Sequence, residues 1–249
     1  MKVFTPVWPV PPSVQAIVTT RMAGNLATHV GSRADSIANR EALVTIAGLP
    51  CQPLWLEQVH GNRTILAEDY PDISTSNTST SNTSTSNTST SNISTSHPPQ
   101  ADAVVTSRVG QPLVVLVADC LPIILASAAG DRVGVVHAGW RGLADEVIAS
   151  AVSRFEGQEL IAWVGPGIGA CHYEVDQVVR SAFDTSAGFR EAGEGHWMMD
   201  LAEVAKLQLN AQGVSQIYGG DYCTWCDPRF FSHRENQAQG RFAVIAWLA

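Results

Sequence analysis

Long hydrophobic runs are missing from this chain. Its most apolar stretch, Leu113 to Ala126, is interrupted by Asp119 and Cys120 and is too short to cross a bilayer. Positive charge is also scarce. Fifteen Lys and Arg stand against 23 Asp and Glu, which gives a formal net charge of -8 and a pI near 5.3. Binding to a phosphate backbone needs a basic face, so nucleic acid is excluded as the main partner. Cysteine is sparse: five residues, an odd count, widely spaced. That excludes a disulfide framework and points to a reducing compartment, the cytoplasm. The N-terminus has Lys2 followed by Pro6, Pro9, Pro11 and Pro12, which is not a signal-peptide pattern. No membrane partner is expected, and the self-association state is left open.

Apolar residues make up 45% of the 249 positions, ample for a packed core. Length alone allows one large domain or two small ones. Residues 74–96 stand apart as a Ser/Thr/Asn tract. A five-residue unit starting at Asn77 repeats at Asn82 and Asn87 and decays from Asn92. With no charge and almost no apolar side chain, the tract cannot offset the entropy of ordering, so a flexible inserted surface loop is expected. Around it, strands and helices alternate. Strands are expected at Val14–Thr20, Ala103–Thr106, Leu113–Val117, Ile123–Ser127, Arg132–His137, Ile161–Val164, Gln216–Tyr218 and Phe242–Trp247. Leu54–Val59 and Arg63–Ala67 flank Gly61-Asn62 like a hairpin. Helical spacing covers Ala34–Ala47, which stops at Gly48, and Leu143–Phe155, Val175–Ala187 and Leu201–Gln212. Hairpins mixed with crossovers indicate an α+β class rather than a doubly wound sheet.

Three short stretches each place a metal-binding residue type beside a turn: Gln58-Val59-His60-Gly61, Ala118-Asp119-Cys120-Leu121-Pro122 and His137-Ala138-Gly139-Trp140-Arg141-Gly142. Alone, each histidine or cysteine reads as a satisfied polar residue or an inert buried thiol. Together, two imidazoles and a thiolate can hold one zinc and leave a fourth position open, as catalytic sites do.

These stretches also carry a resemblance, joined by Thr19-Thr20-Arg21, Asn39-Arg40, Trp55-Leu56-Glu57, Ala101-Asp102-Ala103, Gly165-Pro166-Gly167-Ile168-Gly169, Cys223-Thr224, Phe230-Phe231-Ser232-His233-Arg234 and Gly240-Arg241. The chain resembles the multicopper polyphenol oxidase/laccase-domain family, whose bacterial members are also called peptidoglycan editing factors and purine nucleoside phosphorylases. The resemblance runs through nearly the whole chain. It implies a single domain over 1–249, with layered mixed β-sheets flanked by helices. It also implies a metal site of His60, Cys120 and His137. Arg141, Arg21 and Arg234 fall in its motifs as candidate phosphate ligands, and Arg141 precedes a helix. Asp119 is a candidate proton carrier, or a partner that orients a ligand histidine. Its simpler role is to cap the turn before Cys120. Where the family commonly has a second arginine after the first, this chain has Glu235, and the segment around Thr20–Leu26 is shorter than usual.

A multicopper cluster is disfavoured by counting, because the chain has seven histidines and no His-Xaa-His pair. Copper could still enter the same N/S site in place of zinc. Cys223-Thr224-Trp225-Cys226 forms a Cys-Xaa-Xaa-Cys, but the sequence shows no second ligand pair, so it reads as structural, as do Cys51 and Cys171. His172 is placed to contact a ligand.

Three readings follow. The first is a zinc enzyme that phosphorolyses purine nucleosides (adenosine, inosine, methylthioadenosine), with adenosine deamination as a side activity. The second is a peptidoglycan-precursor editing hydrolase with Cys120 as nucleophile and His137 as base. The third is a binding module without turnover. The first is preferred, with small-molecule nucleoside and phosphate as partners and zinc as cofactor.

Overall fold

A computed structural model describes residues 2–70, 98–236 and 240–249. The repeat tract 74–96 and His97 lie outside the described residues. In chain order the strands are β1 (Val3–Phe4), β2 (Val14–Thr19), β3 (Thr64–Leu66), β4 (Ala103–Thr106), β5 (Leu113–Val117), β6 (Leu121–Ser127), β7 (Val133–Ala138), β8 (Leu160–Val164), β9 (Glu174–Asp176), β10 (Phe189–Gly193), β11 (His196–Met199), β12 (Gln216–Gly219) and β13 (Phe242–Leu248). The helices are α1 (Arg33–Ala47), α2 (Trp140–Ala144), α3 (Val147–Ser153), α4 (Gln177–Arg180), α5 (Leu201–Ala211) and α6 (His233–Asn236). The class is α+β. Among the described residues, no helix is long and apolar enough to cross a membrane.

Two sheets form the frame. One runs β1-β2-β13-β5 and the other β12-β8-β6-β7-β4-β3; a small sheet β10-β11-β9 lies apart. The near-continuous apolar strands explain the layering, because most are buried on both faces. Along β5, Leu113, Val115 and Val117 face the space between the large sheets, while Val114 and Leu116 face α1. β13 alternates in the same way, with Val244 and Ala246 inward and Ile245 and Trp247 toward α1. Along β6 and β7, Ile124, Val133 and Val135 join the inter-sheet core, whereas Ile123, Leu125 and Val136 pack on the α2, α3 and α5 side with Leu143, Ile148 and Val204. The order of layers is therefore helix, sheet, sheet, helices. α1 stops where expected: Gly48 takes φ 62 and its N–H returns to the last turn.

Three expected elements differ. Segments 54–59 and 63–67 make no hairpin. β3 instead pairs in parallel with β4, Ile65 against Val104, and the earlier segment touches strands only through isolated bridges such as Glu57 to Gln100. The reason is chemical: the amides of Val59, His60 and Gly61 donate to the Asp102 carboxylate rather than to a facing strand. The helix expected at 143–155 is broken by Glu146 at φ 62 into α2 and α3. The one expected at 175–187 keeps a single turn. There Val175 is captured as a strand opposite Trp197, so cross-strand pairing overrides helical spacing.

Because the inter-sheet core is densely packed, Ile124→Ala should lower unfolding free energy by about 3 kcal/mol in a denaturant titration. Val7→Ala, at a side chain 93% exposed, should change it by less than about 0.5 kcal/mol.

Candidate metal centre and its cavity

The link between β5 and β6 carries the chain from one large sheet to the other. Asp119 turns it at φ 86, and Cys120 follows at the end of the inter-sheet space. His137 sits opposite Pro122 on β7, in phase with the inward-facing Val133 and Val135. His60 comes from the loop before β3, held at φ 61. A left-handed backbone at a residue with a Cβ costs roughly 1 kcal/mol or more, so something must hold it there. The structure brings these three residues together: one ligand atom from each lies within 4.8 Å of the others. Gly139 leaves the room, since a Cβ there would sit 2.9 Å from the Cys120 sulfur and 3.4 Å from the His60 ring.

Asp102 does the holding. Its fully buried carboxylate accepts from the His60 amide (2.9 Å), the Gly61 amide (2.8 Å) and the Val59 amide (3.3 Å), and pairs with Nδ1 of His137 at 2.8 Å. Burial alone would raise the Asp102 carboxyl, but the His137 N–H and charge and the backbone amides hold it below the usual carboxylate range. An ionised Asp102 keeps the proton of His137 on Nδ1 and turns Nε2 toward Cys120. Burial pushes the Cys120 thiol up, and the two histidines more than offset this, bringing it down to about 6. Burial likewise works against a charged His137, yet the Cys120 thiolate and Asp102 raise it to about 9. A thiolate and two imidazoles with an open side form a borderline-soft donor set that fits zinc, and copper equally.

The orienting role expected of Asp119 therefore belongs to Asp102. Asp119 instead accepts from the Thr224 hydroxyl and the Arg234 amide, both at 2.6 Å, which supports the Cys120 turn, while the residue keeps a place in the wall of the adjoining cavity. The Ala101-Asp102-Ala103 motif contained the signal, but no spacing rule links it to His60 or His137.

The centre opens into a cavity of about 780 Å³ lined by Arg40, Arg141, Arg234 and Arg241. Arg141 stacks on Trp140, its guanidinium 4.4 Å from the ring centre, and Arg234 lies over Tyr173. Arg21 does not line this cavity. Its guanidinium donates to the Phe230 carbonyl and faces Glu235 at 3.9 Å, the residue that replaces the family's second arginine. Arg40 and Arg241 line it instead. Arg141 is the second residue of the five-residue helix α2, so its guanidinium, rather than the end of a long helix, presents the positive charge to the cavity.

Residues 18–249 match the family model described as multi-copper polyphenol oxidoreductase laccase. The chain is similar to a Xylella fastidiosa protein named purine nucleoside phosphorylase, 40% identical over 97% of this chain and 95% of the relative. It is 34% identical to the Escherichia coli purine nucleoside phosphorylase YfiH, over 99% of both chains. Among solved structures, Neisseria meningitidis protein NMB0706 superposes with a TM-score of 0.85 at 32% identity, covering 100% of this chain and 99% of that one.

Asp102→Asn should weaken zinc binding roughly 10- to 100-fold in a chelator competition titration, because the ligand histidine loses its anionic partner. In metal-stripped protein, alkylation of Cys120 by iodoacetamide should hold its rate as pH falls to about 7 and halve near the depressed value of about 6. An ordinary thiol would already slow below about 8.5.

Proposed function

This chain belongs to the multi-copper polyphenol oxidoreductase laccase family, and we propose that it is a zinc-dependent purine nucleoside phosphorylase of the cytoplasm, acting on adenosine, inosine and methylthioadenosine. The observation that carries this reading is one cavity that joins an open His₂Cys donor set to four guanidinium groups, in a chain whose net charge is -8. Clustered cations in an acidic protein suit an anionic co-substrate. Arg141, Arg234, Arg40 and Arg241 would hold phosphate beside the sugar. Trp140 and Ile168 in the cavity wall offer apolar surface to the purine. Burial pushes the Tyr173 phenol up, so it stays protonated and can donate a hydrogen bond. In phosphorolysis a phosphate oxygen forms a bond to C1′ and the C1′–N9 bond breaks. Its electron pair leaves with the base, which gains a proton. Zinc held by His60, Cys120 and His137 would supply Lewis acidity at the open position. The guanidinium groups contribute by orienting the nucleophile and lowering the repulsion between its charges.

A second reading has its own observation. Asp102, His137 and Cys120 stand in line as acid, imidazole and thiol, and the thiol is depressed to about 6, as a nucleophile in an editing hydrolase would be. The presence of His60 in the same cluster favours the metal reading, because a Cys-His pair has no use for it. An oxidase with several coppers is disfavoured, since this centre contains two imidazoles.

Zinc-loaded protein incubated with adenosine or inosine should release free base and ribose 1-phosphate only when phosphate is present. Cys120→Ala should abolish turnover along with zinc at this centre. Arg141→Ala should raise KM for phosphate roughly 10- to 100-fold, the worth of one charge-assisted hydrogen bond. Base release without phosphate would overturn the phosphorylase reading, and activity that survives full chelation and falls on alkylation would overturn it in favour of the thiol hydrolase.

A further inference from the structure

A second group of soft donors lies on the other side of Asp119. Cys171 and His172, at the end of the Gly165–Gly169 loop, meet Cys223 and Cys226 of the Cys-Thr-Trp-Cys turn. One ligand atom from each of the four lies within 4.8 Å of all the others. We propose that these four residues form a second, structural zinc site, separate from the His60–Cys120–His137 centre and closed by its own ligands.

The distances fit a tetrahedron. Zinc–sulfur bonds of about 2.3 Å and zinc–nitrogen bonds of about 2.0–2.1 Å imply edges of about 3.8 Å between sulfurs and about 3.6 Å between sulfur and nitrogen. Cys171 lies 3.6 Å from both Cys223 and Cys226, sulfur to sulfur. Nδ1 of His172 lies 3.2 Å from the Cys171 sulfur and 3.4 Å from that of Cys226. A disulfide would need about 2.05 Å, so no pair is bonded. The surroundings prepare the donors. The Gly169 amide donates to the Cys223 sulfur at 3.2 Å, which stabilises a thiolate. The His172 ring stacks flat on Trp225, 4.9 Å between centroids and 9° between planes, so its Nδ1 edge is fixed toward the thiols. Three cysteines gathered near the surface without bonding one another would otherwise be exposed to oxidation. The sequence hides the site because 50 residues separate His172 from Cys223, so Cys-Xaa-Xaa-Cys lacks a visible partner pair.

Four protein ligands close the coordination shell, which makes the role structural. What the site would fasten is legible. Gly167 bridges Cys223, and the Thr224 amide donates to the Gly167 carbonyl at 2.9 Å. The Thr224 hydroxyl holds the Asp119 carboxylate, and the Ile168 amide donates to the Asp119 carbonyl at 2.8 Å. The zinc would thus pin the Cys223–Cys226 turn to the loop that carries Ile168 and Tyr173 into the cavity wall, and brace the turn before Cys120.

Metal analysis under reducing conditions tests this without any enzyme assay. Wild-type protein equilibrated with zinc and then desalted should retain about two ions per chain, and Cys120→Ala about one. The double variant Cys171→Ser/Cys226→Ser, at two exposed positions, should also retain about one. Should the double variant fail to fold, cobalt titration of Cys120→Ala reads the site directly, with strong thiolate-to-cobalt charge-transfer and tetrahedral ligand-field bands expected at one equivalent. One zinc per wild-type chain that is lost entirely in Cys120→Ala, or no cobalt bands in that variant, would overturn the proposal.

Discussion

The carboxylate of Asp102 is the constraint on which the centre depends. One buried anion is shared by three amides of the His60 loop and by the imidazole of His137. It does so from the bend just before β4, whose neighbour β7 carries His137; the His137 amide also donates to the Asp102 carbonyl at 2.7 Å. Without that anion, nothing offsets the strain of His60 at φ 61, and three amides would lose their acceptor. A buried charge is costly, yet here four donors surround it, and the net effect of their bonds is to keep it ionised. The left-handed His60 and the direction of the His137 ring therefore follow from one side chain, which so places the two imidazoles that depress the Cys120 thiol.

The large sheets supply the other half of the arrangement. Cys120 occupies the point where the chain leaves β5 in one sheet and enters β6 in the other. A turn at this crossing must be tight, and Asp119 at φ 86 meets that need through bonds to Thr224 and Arg234 rather than through glycine. The open end between two packed sheets is a rigid place to present a reactive group, since both flanks are core strands.

Much of the frame was legible because its strands are buried on both faces. Runs such as Leu113–Val117 and Phe242–Leu248 need no partner to be recognised as core strands, and Gly48 marks a helix end by its own conformational freedom. The His60, Cys120 and His137 set was legible as residue types beside turns. What could not be read were arrangements decided by tertiary partners. The 54–67 region follows a hydrogen-bond acceptor supplied from position 102, and Val175 follows Trp197. The pairing of Cys171-His172 with Cys223 and Cys226 is of the same kind, because distance along the chain carries no information about distance in space. Arg21 shows the converse. Its motif was visible, but a backbone carbonyl and Glu235 hold it away from the cavity lining.

The cavity's electrostatics can be argued from groups that do not touch the metal ligands. His29 lines it, and its pKa is lowered, first by burial and then by the positive charges of Arg241 and Arg40. Arg40 itself is lowered to about 10 because burial penalises its charge. Both shifts report cations held in a partly dry concavity, where Arg241 also feels the opposing charges of Cys120 and Asp119. A protein with a net charge of -8 could have placed carboxylates against these guanidinium groups, as it does at Arg21 and Arg229. Among the described residues, the charge of Arg40 is met by the Trp55 face and the Leu26 carbonyl. Such unspent positive potential favours an anion over a neutral ligand, and more strongly as the anion displaces water and lowers the local dielectric. An anionic co-substrate thus has a physical reason to enter this cavity, independent of which group at the metal centre completes the chemistry.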